Sequence, residues 1–588
     1  MNAYIKLCAG YETAYLYADN GENYTLDVNA DLLKFISAKR YDNIYVWDAP
    51  EIFAIIDAFA INNNLQSYED LELNKNGYLP RVTFECISRK DNDGGYYERK
   101  IWLKTQKLDS IDRHKRIAAT SYINIKNFFG SISFKEARKA FEVIENQTPG
   151  MQVKNLLYNF AKSIENITGI NIFDENGKIK YWTMGGISKA YYFKLFEQKT
   201  KGIQYIDYVP QNEDFEIEMR LTHLLSKGIL YCRAFNVELN EQRKFDKNSL
   251  FPHVSQDCPI FYAPIKVDFS EYWQNRNNIN SRNTRYIITF NRLLLKVKSQ
   301  YPNVLQPHGE KCTDKNPPIV DFTNQSFFEE HFETLLKIYE IVDIDIKNVY
   351  RLKIERDTAI LEYNQKLFAL KKSLNNNSAR RSVVKYLLNN LHGKFAQICL
   401  QPKFNYTKND KGILVRQIKA LRNTWKKSHF DYLRGAYIYS MAQREMLEEL
   451  IKLPHPLQVN YIDTDCFVVG LNNAPKNIGE ELGEFKVENF YRGVMFYAPK
   501  TYIGVDGRGD LKVTCAGMQA KEIKDFIVEE CIPYAPTSLE DIIDMEIPTT
   551  FTRRTVYGFE RVTEWRTIGQ GLTNDELENG GYISGTES

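Results

Sequence analysis

The sequence predicts a multidomain protein of α/β and α+β class, and three observations carry that expectation. A chain of 588 residues exceeds what one hydrophobic core ordinarily serves, so two or more domains are expected. Up to about residue 225, short alternating strands mix with amphipathic stretches, which reads as α/β. Further on, Leu457 to Val469 reads as strand, turn, strand, and Ser378 to Phe395 as a helix.

In chain order, the expected early strands are Tyr4 to Cys8, Ile44 to Trp47, Val82 to Cys86 and Lys100 to Leu103. Glu51 to Asn62 and Phe134 to Ile144 are the amphipathic stretches among them. Apolar content of 43% and aromatic content of 13% are ample for burial. The nine cysteines form no C-x-x-C pair and are odd in number, so neither a disulfide framework nor a zinc site is indicated, and a reducing compartment fits, the cytoplasm or else an organelle matrix. Met1 to Lys6 begins no signal peptide, and no run approaches the roughly eighteen apolar residues that span a bilayer. A soluble protein without a membrane partner is expected. No internal repeat and no P-loop is found.

The chemistry is concentrated in three places. Tyr461-Ile462-Asp463-Thr464-Asp465 sets two carboxylates two residues apart; on a strand they would share a face and lean toward one divalent ion. The flanking Leu457, Val459, Ile462, Phe467, Val468 and Val469 suit a buried hairpin, where unpaired acids need a cation. Upstream, Phe245-Asp246-Lys247-Asn248-Ser249-Leu250-Phe251-Pro252 offers one more acid before a turn. Two acids from neighbouring strands can bridge a pair of Mg²⁺ ions, as in-line phosphoryl or nucleotidyl transfer requires. Third, charge is segregated: the chain is +2 overall, yet residues 363–430 hold fifteen Lys or Arg and one acid, Asp410. Such a block is either a solvated face or the electrostatic footprint of a polyanion, and its place between the two carboxylate motifs favours the second. Within it Arg381, Lys385 and Asn389 recur at helical spacing, an Arg fork and a Lys point charge suited to a triphosphate.

In order and type these elements resemble family B DNA polymerases of the protein-primed branch, which copy linear phage and plasmid genomes. That family's D-x-x-S-L-Y-P is matched by Asp246 to Pro252 with Phe251 for tyrosine. K-x-x-x-N-S-x-Y-G-K-F is matched by Lys385 to Phe395 with Asn390 for serine and His392 for tyrosine. Y-x-D-T-D-S is matched by Tyr461 to Cys466, and K-x-Y by Lys500-Thr501-Tyr502. Thr514-Cys515-Ala516-Gly517-Met518 looks like a segment that follows in this branch.

The resemblance implies a right-hand polymerase that uses two Mg²⁺ ions, Mn²⁺ being an acceptable substitute, with template, primer and dNTPs as partners. Asp246 and Asp465 would hold the metals with Asp463 close by, and the Lys247 carbonyl and Ser249 to Leu250 backbone would meet metal or triphosphate. Arg381 and Lys385 would receive phosphates, and Phe251 would lie under the sugar and exclude a 2′-hydroxyl. Asn389, Asn390, His392, Gly393 and Thr464 would border base pair and template, and Lys500 and Tyr502 the primer strand.

The implied layout is a ribonuclease-H-like exonuclease domain over 1–225, then a polymerase domain over 226–588. Palm would occupy about 226–270 and 432–515, a first insertion about 270–350, fingers about 351–400, a second insertion about 401–431 and a thumb about 516–568. The polar, acidic tail 571–588 reads as disordered. In this branch the first insertion implies contact with a terminal protein that primes synthesis, and the second, carrying Lys403, Lys408, Lys411, Arg416, Lys419, Arg422, Lys426 and Lys427, a basic hairpin over template.

The exonuclease motifs are expected to be degenerate. Gly10 stands where the first aspartate belongs, although Glu12 is kept, and Arg220 falls at the third motif's acid. Trp47-Asp48-Ala49-Pro50-Glu51-Ile52 matches the second motif poorly, and Glu12, Asp48 and Glu51 would have to form a rearranged site. The single-strand contact motif fades to Asn124-Ile125-Lys126-Asn127-Phe128, and the interdomain Y-x-G-G turn reads Tyr231-Cys232-Arg233-Ala234. Two alternatives stay open: a reverse transcriptase, disfavoured because its catalytic acids are adjacent, and a non-catalytic nucleic-acid-binding descendant of a polymerase.

Overall fold

The computed structural model describes residues 1–8, 12–28, 32, 35, 41–49, 52, 89–90, 96–102, 119–130, 132–175, 177–181, 183–199, 228–233, 236–238, 241–262, 264–281, 283–305, 312–375, 378–396, 400–408, 414–423, 432–515, 521, 523–525, 546–555, 558–567 and 582–583. The expected strand Val82 to Cys86, all of Glu51 to Asn62 but Ile52, and Gly10, Arg220, Ala234, Lys411, Lys426, Lys427 and Met518 lie outside these residues. So does the tail from Gly571, apart from Tyr582 and Ile583.

The early alternation forms β1 (Asn2–Leu7), β2 (Thr13–Ala18), β3 (Asn23–Asp27), β4 (Asn43–Val46), β5 (Arg89–Lys90), β6 (Tyr96–Trp102) and β7 (Ala119–Asn124). They pair in the order β3-β2-β1-β4-β7-β6-β5, parallel between β1 and β4 and between β4 and β7. Such strands are buried on both faces and need apolar side chains on both. Tyr4 and Tyr45 accordingly stack at 5.4 Å within one core cluster, while Ala3, Ile5 and Leu7 fill another. Three helices follow: α1 (Phe134–Ala140), α2 (Pro149–Thr168) and α3 (Met184–Lys199). A Ser133/Glu136 capping box starts α1, Pro149 opens α2, and Gly169 closes it at φ 65°.

Next come β8 (Leu230–Cys232), β9 (Asn236–Glu238), β10 (Gln242–Lys247) and α4 (Leu250–Ser255), then β11 (Ile260–Phe261), β12 (Ile265–Val267), α5 (Phe269–Asn275) and β13 (Thr284–Val297). β14 (Cys312–Thr313), β15 (Ile319–Phe328), α6 (Glu329–Ile338), β16 (Tyr339–Glu355), α7 (Thr358–Ser373) and α8 (Ala379–Phe395) continue the chain. A hairpin of β17 (Leu400–Lys408) and β18 (Leu414–Asn423) carries five basic residues of the charged block, and α9 (Tyr432–Lys452) leads to β19 (Val459–Asp463) and β20 (Cys466–Gly470). Last are β21 (Phe485–Ala498), β22 (Thr501–Asp506), β23 (Leu511–Cys515), β24 (Glu546–Thr555), β25 (Gly558–Thr567) and β26 (Tyr582–Ile583).

The fold is mixed α/β and multidomain. Its central feature is a sheet in the order β14-β8-β19-β20-β10-β21-β22-β23, with β9 on β21. β13, β15 and β16 build a separate antiparallel sheet with β11 and β12. One apolar core runs from Tyr4 through Phe160 and Phe245 to Phe395 and Leu450, joining the first sheet's helices to α8 and α9. Through it Arg434 of α9, fully buried, bonds Asp357 at 2.5 Å and the Tyr192 hydroxyl at 2.6 Å. Asp357 also caps α7, accepting the Ala359 N–H at 2.9 Å. One expected core residue is corrected: Leu457 is 51% exposed, because Pro456–Gln458 forms a 3₁₀ turn before the strand begins. Among the described residues no helix is long and apolar enough to cross a membrane.

Candidate active site

β10 lies between β20 and β21, and its register sets the site. Asp246 stands opposite Cys466 on one side and opposite Lys486 on the other. The Lys247 N–H donates to the Asp465 carbonyl at 2.7 Å, which brings the upstream acid and the hairpin acid to adjoining strand ends. Their charges interact. Burial first, then Asp246 and Asp463, push the Asp465 carboxyl up to about 7, while Lys385 pulls the other way. Cys466, opposite Asp246, is buried, which pushes its thiol up and keeps it neutral.

Asp463 and Asp465 do not share a strand face, contrary to the expectation. β19 ends at Asp463, Thr464 adopts φ 56°, and the Asp465 N–H donates to the Asp463 carbonyl at 2.6 Å. A left-handed residue between them cancels the two-residue alternation. Asp463 turns instead to Lys500, whose ammonium reaches both its oxygens at 2.8 and 2.9 Å. The Tyr461 hydroxyl donates to Asp463 at 3.1 Å and accepts the Lys500 N–H at 2.9 Å. Ser249, Thr464 and Lys500 all have positive φ, strain of about 1–3 kcal/mol each that gathers at this site. Gly228 makes room for the hairpin turn: a Cβ there would stand 2.6 Å from the Thr464 Cα.

The cations arrive on two helices and a strand. Ser378 caps α8 by accepting the Arg381 N–H at 3.1 Å, and the helix then presents Arg381, Lys385 and Asn389. Lys385 is exposed; Arg381 is half-buried and donates to the Leu374 carbonyl at 3.3 Å. Asn389 Oδ1 is buried with no hydrogen-bond donor among the described residues. α7 contributes Lys371, which sequence reasoning passed over because it lies off the Arg381 to Asn389 series. Its ammonium donates to Ser249 Oγ at 3.0 Å. Burial, then Lys385, Lys486 and Arg381, push Lys371 down to about 8, and Asp246 opposes the shift. Lys486 was also missed, since only the pairing of β10 with β21 brings it here; it meets Asp246 Oδ2 at 3.1 Å.

Other predicted positions are placed as follows. The Lys247 side chain is fully buried and held by Glu445 at 2.5 Å and Glu449 at 3.4 Å, so only its backbone can serve a ligand. Phe251 stacks on His392 with centroids 4.4 Å apart and planes at 15°. Burial pushes His392 down to about 3, so that ring is neutral. Leu250 is buried, and Asn390 donates to the Tyr386 carbonyl at 2.6 Å. A Cβ at Gly393 would meet nothing within 4 Å. Tyr502 is only 4% exposed and packs edge-on to Tyr461 at 5.3 Å, which leaves it little surface to offer a primer.

Among the described residues no three His, Cys, Asp or Glu side chains converge as a ready metal cage. Lysines instead hold two of the acids, Lys486 at Asp246 and Lys500 at Asp463. Asp246, Asp463 and Asp465, whose charges act on one another, offer the oxygen donors that a hard divalent cation prefers. A separate cavity of about 950 Å³, lined by residues including Arg285, Glu330, Arg356 and Arg444, contains none of these acids.

The whole-chain architecture matches solved structures. This chain is similar in fold to phi29 DNA polymerase. Against the complex with primer-template DNA and incoming nucleotide substrates the TM-score is 0.68 at 16% identity, covering 96% of this chain and 99% of that one. The binary complex with primer-template DNA gives 0.66 at 15% identity, and the complex with single-stranded DNA 0.65 at 16%, with the same coverage. No family model and no curated protein matches the chain.

In the N-terminal sheet, Asp48 is held by a lysine. Lys6 reaches its two oxygens at 3.0 and 2.8 Å, and the Leu7 N–H adds a bond of 2.8 Å. Glu12 is exposed, and Gly10, Glu51 and Arg220 are outside the described residues. Asn124 accepts the Lys126 N–H at 3.0 Å at the start of a 3₁₀ turn.

Proposed function

We propose that this chain is a DNA-directed DNA polymerase that works by two-metal nucleotidyl transfer, is primed by a terminal protein and lacks 3′–5′ proofreading. The observation that carries the reading is the meeting of Asp246 and Asp465 on adjoining strand ends, facing Arg381, Lys385 and Lys371, within a phi29-polymerase-like fold.

Asp246, Asp465 and the Lys247 carbonyl would hold the metals, and Asp463 would act through its link to Lys500. The chemistry supplied there by bound Mg²⁺ would be acidification of the attacking 3′-hydroxyl and neutralisation of the leaving pyrophosphate. Lys371, Arg381 and Lys385 grip the triphosphate, while the strained Ser249 to Leu250 backbone borders it. Phe251, backed by His392, forms the wall under the sugar and favours deoxynucleotides. Asn389, Asn390, Gly393 and Thr464 border the nascent pair and template, and Lys500 with the rim of Tyr502 borders the primer. The sheet of β13, β15 and β16 falls in the segment assigned to terminal-protein contact, and the β17–β18 hairpin in that assigned to holding template.

Loss of editing is supported by Gly10 at the first motif's acid position, and Asp48, the acid of the poorly matched second motif, is engaged by Lys6. A second reading, a non-catalytic DNA-binding descendant, draws on the lysine links to Asp246 and Asp463. Primer extension with dNTPs and Mg²⁺ separates the two: the wild type extends, and Asp246→Asn does not while still binding DNA. Equal extension by both proteins removes the site, and none by either favours the descendant. A labelled single strand should stay intact with Mg²⁺; its shortening would show an active exonuclease.

A further inference from the structure

Lys486 has no part in the motifs, yet the fold places it against the acid on which the proposed chemistry depends. A bulge between Lys244 and Phe245 shifts the pairing of β10 with β21 by one residue. Without it Val487 would face Asp246; with it Lys486 does. Residues directly opposite on neighbouring strands share a face, and the ammonium duly lies 3.1 Å from Asp246 Oδ2. The extra residue, Glu488, is tied off at 2.8 Å by Lys244, so it leaves Lys486 to Asp246. Lys486 also lies within electrostatic reach of Lys371, which feels Lys385 and Arg381 as well.

We propose that Lys486 is a two-position residue: in the metal-free protein it neutralises Asp246, and when a divalent cation takes that carboxylate it moves to the pyrophosphate portion of the nucleotide. This rests on the polymerase reading. A divalent cation on Asp246 would neutralise the carboxylate charge that attracts the Lys486 ammonium and repel the ammonium itself, so metal entry weakens the hold on Lys486. The released charge joins three cations that Asp246 no longer offsets, a field that only a polyanion balances. The Lys486 side chain is 41% exposed at the sheet's face and free to swing on its four-carbon stem.

The test uses the full chain, without DNA, and two probes: Mn²⁺ alone by spin-resonance titration, and inorganic pyrophosphate in saturating Mg²⁺ by calorimetry. Lys486→Met should bind Mn²⁺ about two- to fivefold more tightly and Mg²⁺-pyrophosphate about as much more weakly, from the worth of one partly exposed ion pair. Lys486→Arg should stay near wild type in both. Unchanged values for Lys486→Met, or both shifting the same way, would overturn the proposal. If Asp246→Asn binds Mn²⁺ as wild type does, the metal site itself fails, a result distinct from failure of the Lys486 switch.

Discussion

The Asp465 carboxyl offers the sharpest residue-level prediction. Its folded pKa, pushed up to about 7 from 3.8, means that in this window the folded protein binds the proton that the unfolded chain releases. The contribution of Asp465 to the stability of the metal-free protein is therefore fullest below about pH 4 and is lost as pH rises toward 7. Melting in chelator at pH 5 and pH 8 should show that drop in wild type, a smaller one in Asp465→Asn, and recovery of the wild type at pH 8 with Mg²⁺. Lys371→Met should raise the KM for dNTP about tenfold or more, the worth of a charge-assisted hydrogen bond, with DNA affinity kept. Phe251→Val should relax the preference for deoxynucleotides, read as incorporation of ribonucleotides. The two motif acids and Arg381 with Lys385 were legible because each sits in a local pattern. Lys371 and Lys486 were not, since tertiary pairing alone brings them in.

Turns, strands and helices decide how firmly those residues are held. The helix from Ala379 to Phe395 was readable from its Ser378 cap and the spacing of its charges, and the hairpin of β19 and β20 from its apolar flanks. The left-handed Thr464 was not readable, because Asp-Thr-Asp carries no glycine to announce a positive φ. Nor was the value of Gly228, which lies beside the Tyr231 motif and touches the turn only in the fold. Gly228→Ala would drive a Cβ to 2.6 Å from the Thr464 backbone and so displace the turn. Incorporation should fall at least tenfold while the melting temperature changes little, and wild-type activity in that variant would refute the contact.

Across the molecule, Arg434, Asp357 and Tyr192 tie α9, the start of α7 and α3 into one buried knot. Arg434→Met alone leaves a buried carboxylate and should destabilise the protein by about 3–5 kcal/mol in urea titration; pairing it with Asp357→Asn should recover much of that loss. Asp357→Asn can still cap α7, so the double variant tests the charge rather than the cap. The segregated charge, fifteen basic residues and one acid in 363–430 against +2 overall, was legible as a block, but not how α7, α8 and the β17–β18 hairpin would divide those charges.

The central claim is that Asp246 and Asp465 act together on a metal-bound nucleotide. Its most direct measurement is single-nucleotide extension of a DNA primer on a DNA template, titrated with Mg²⁺, for wild type, Asp246→Asn and Asp465→Asn. The account predicts template-directed, Mg²⁺-dependent incorporation by wild type and a loss of at least a thousandfold in each variant with DNA affinity intact. Incorporation that survives both substitutions, or that is absent from wild type at every Mg²⁺ concentration, would contradict it.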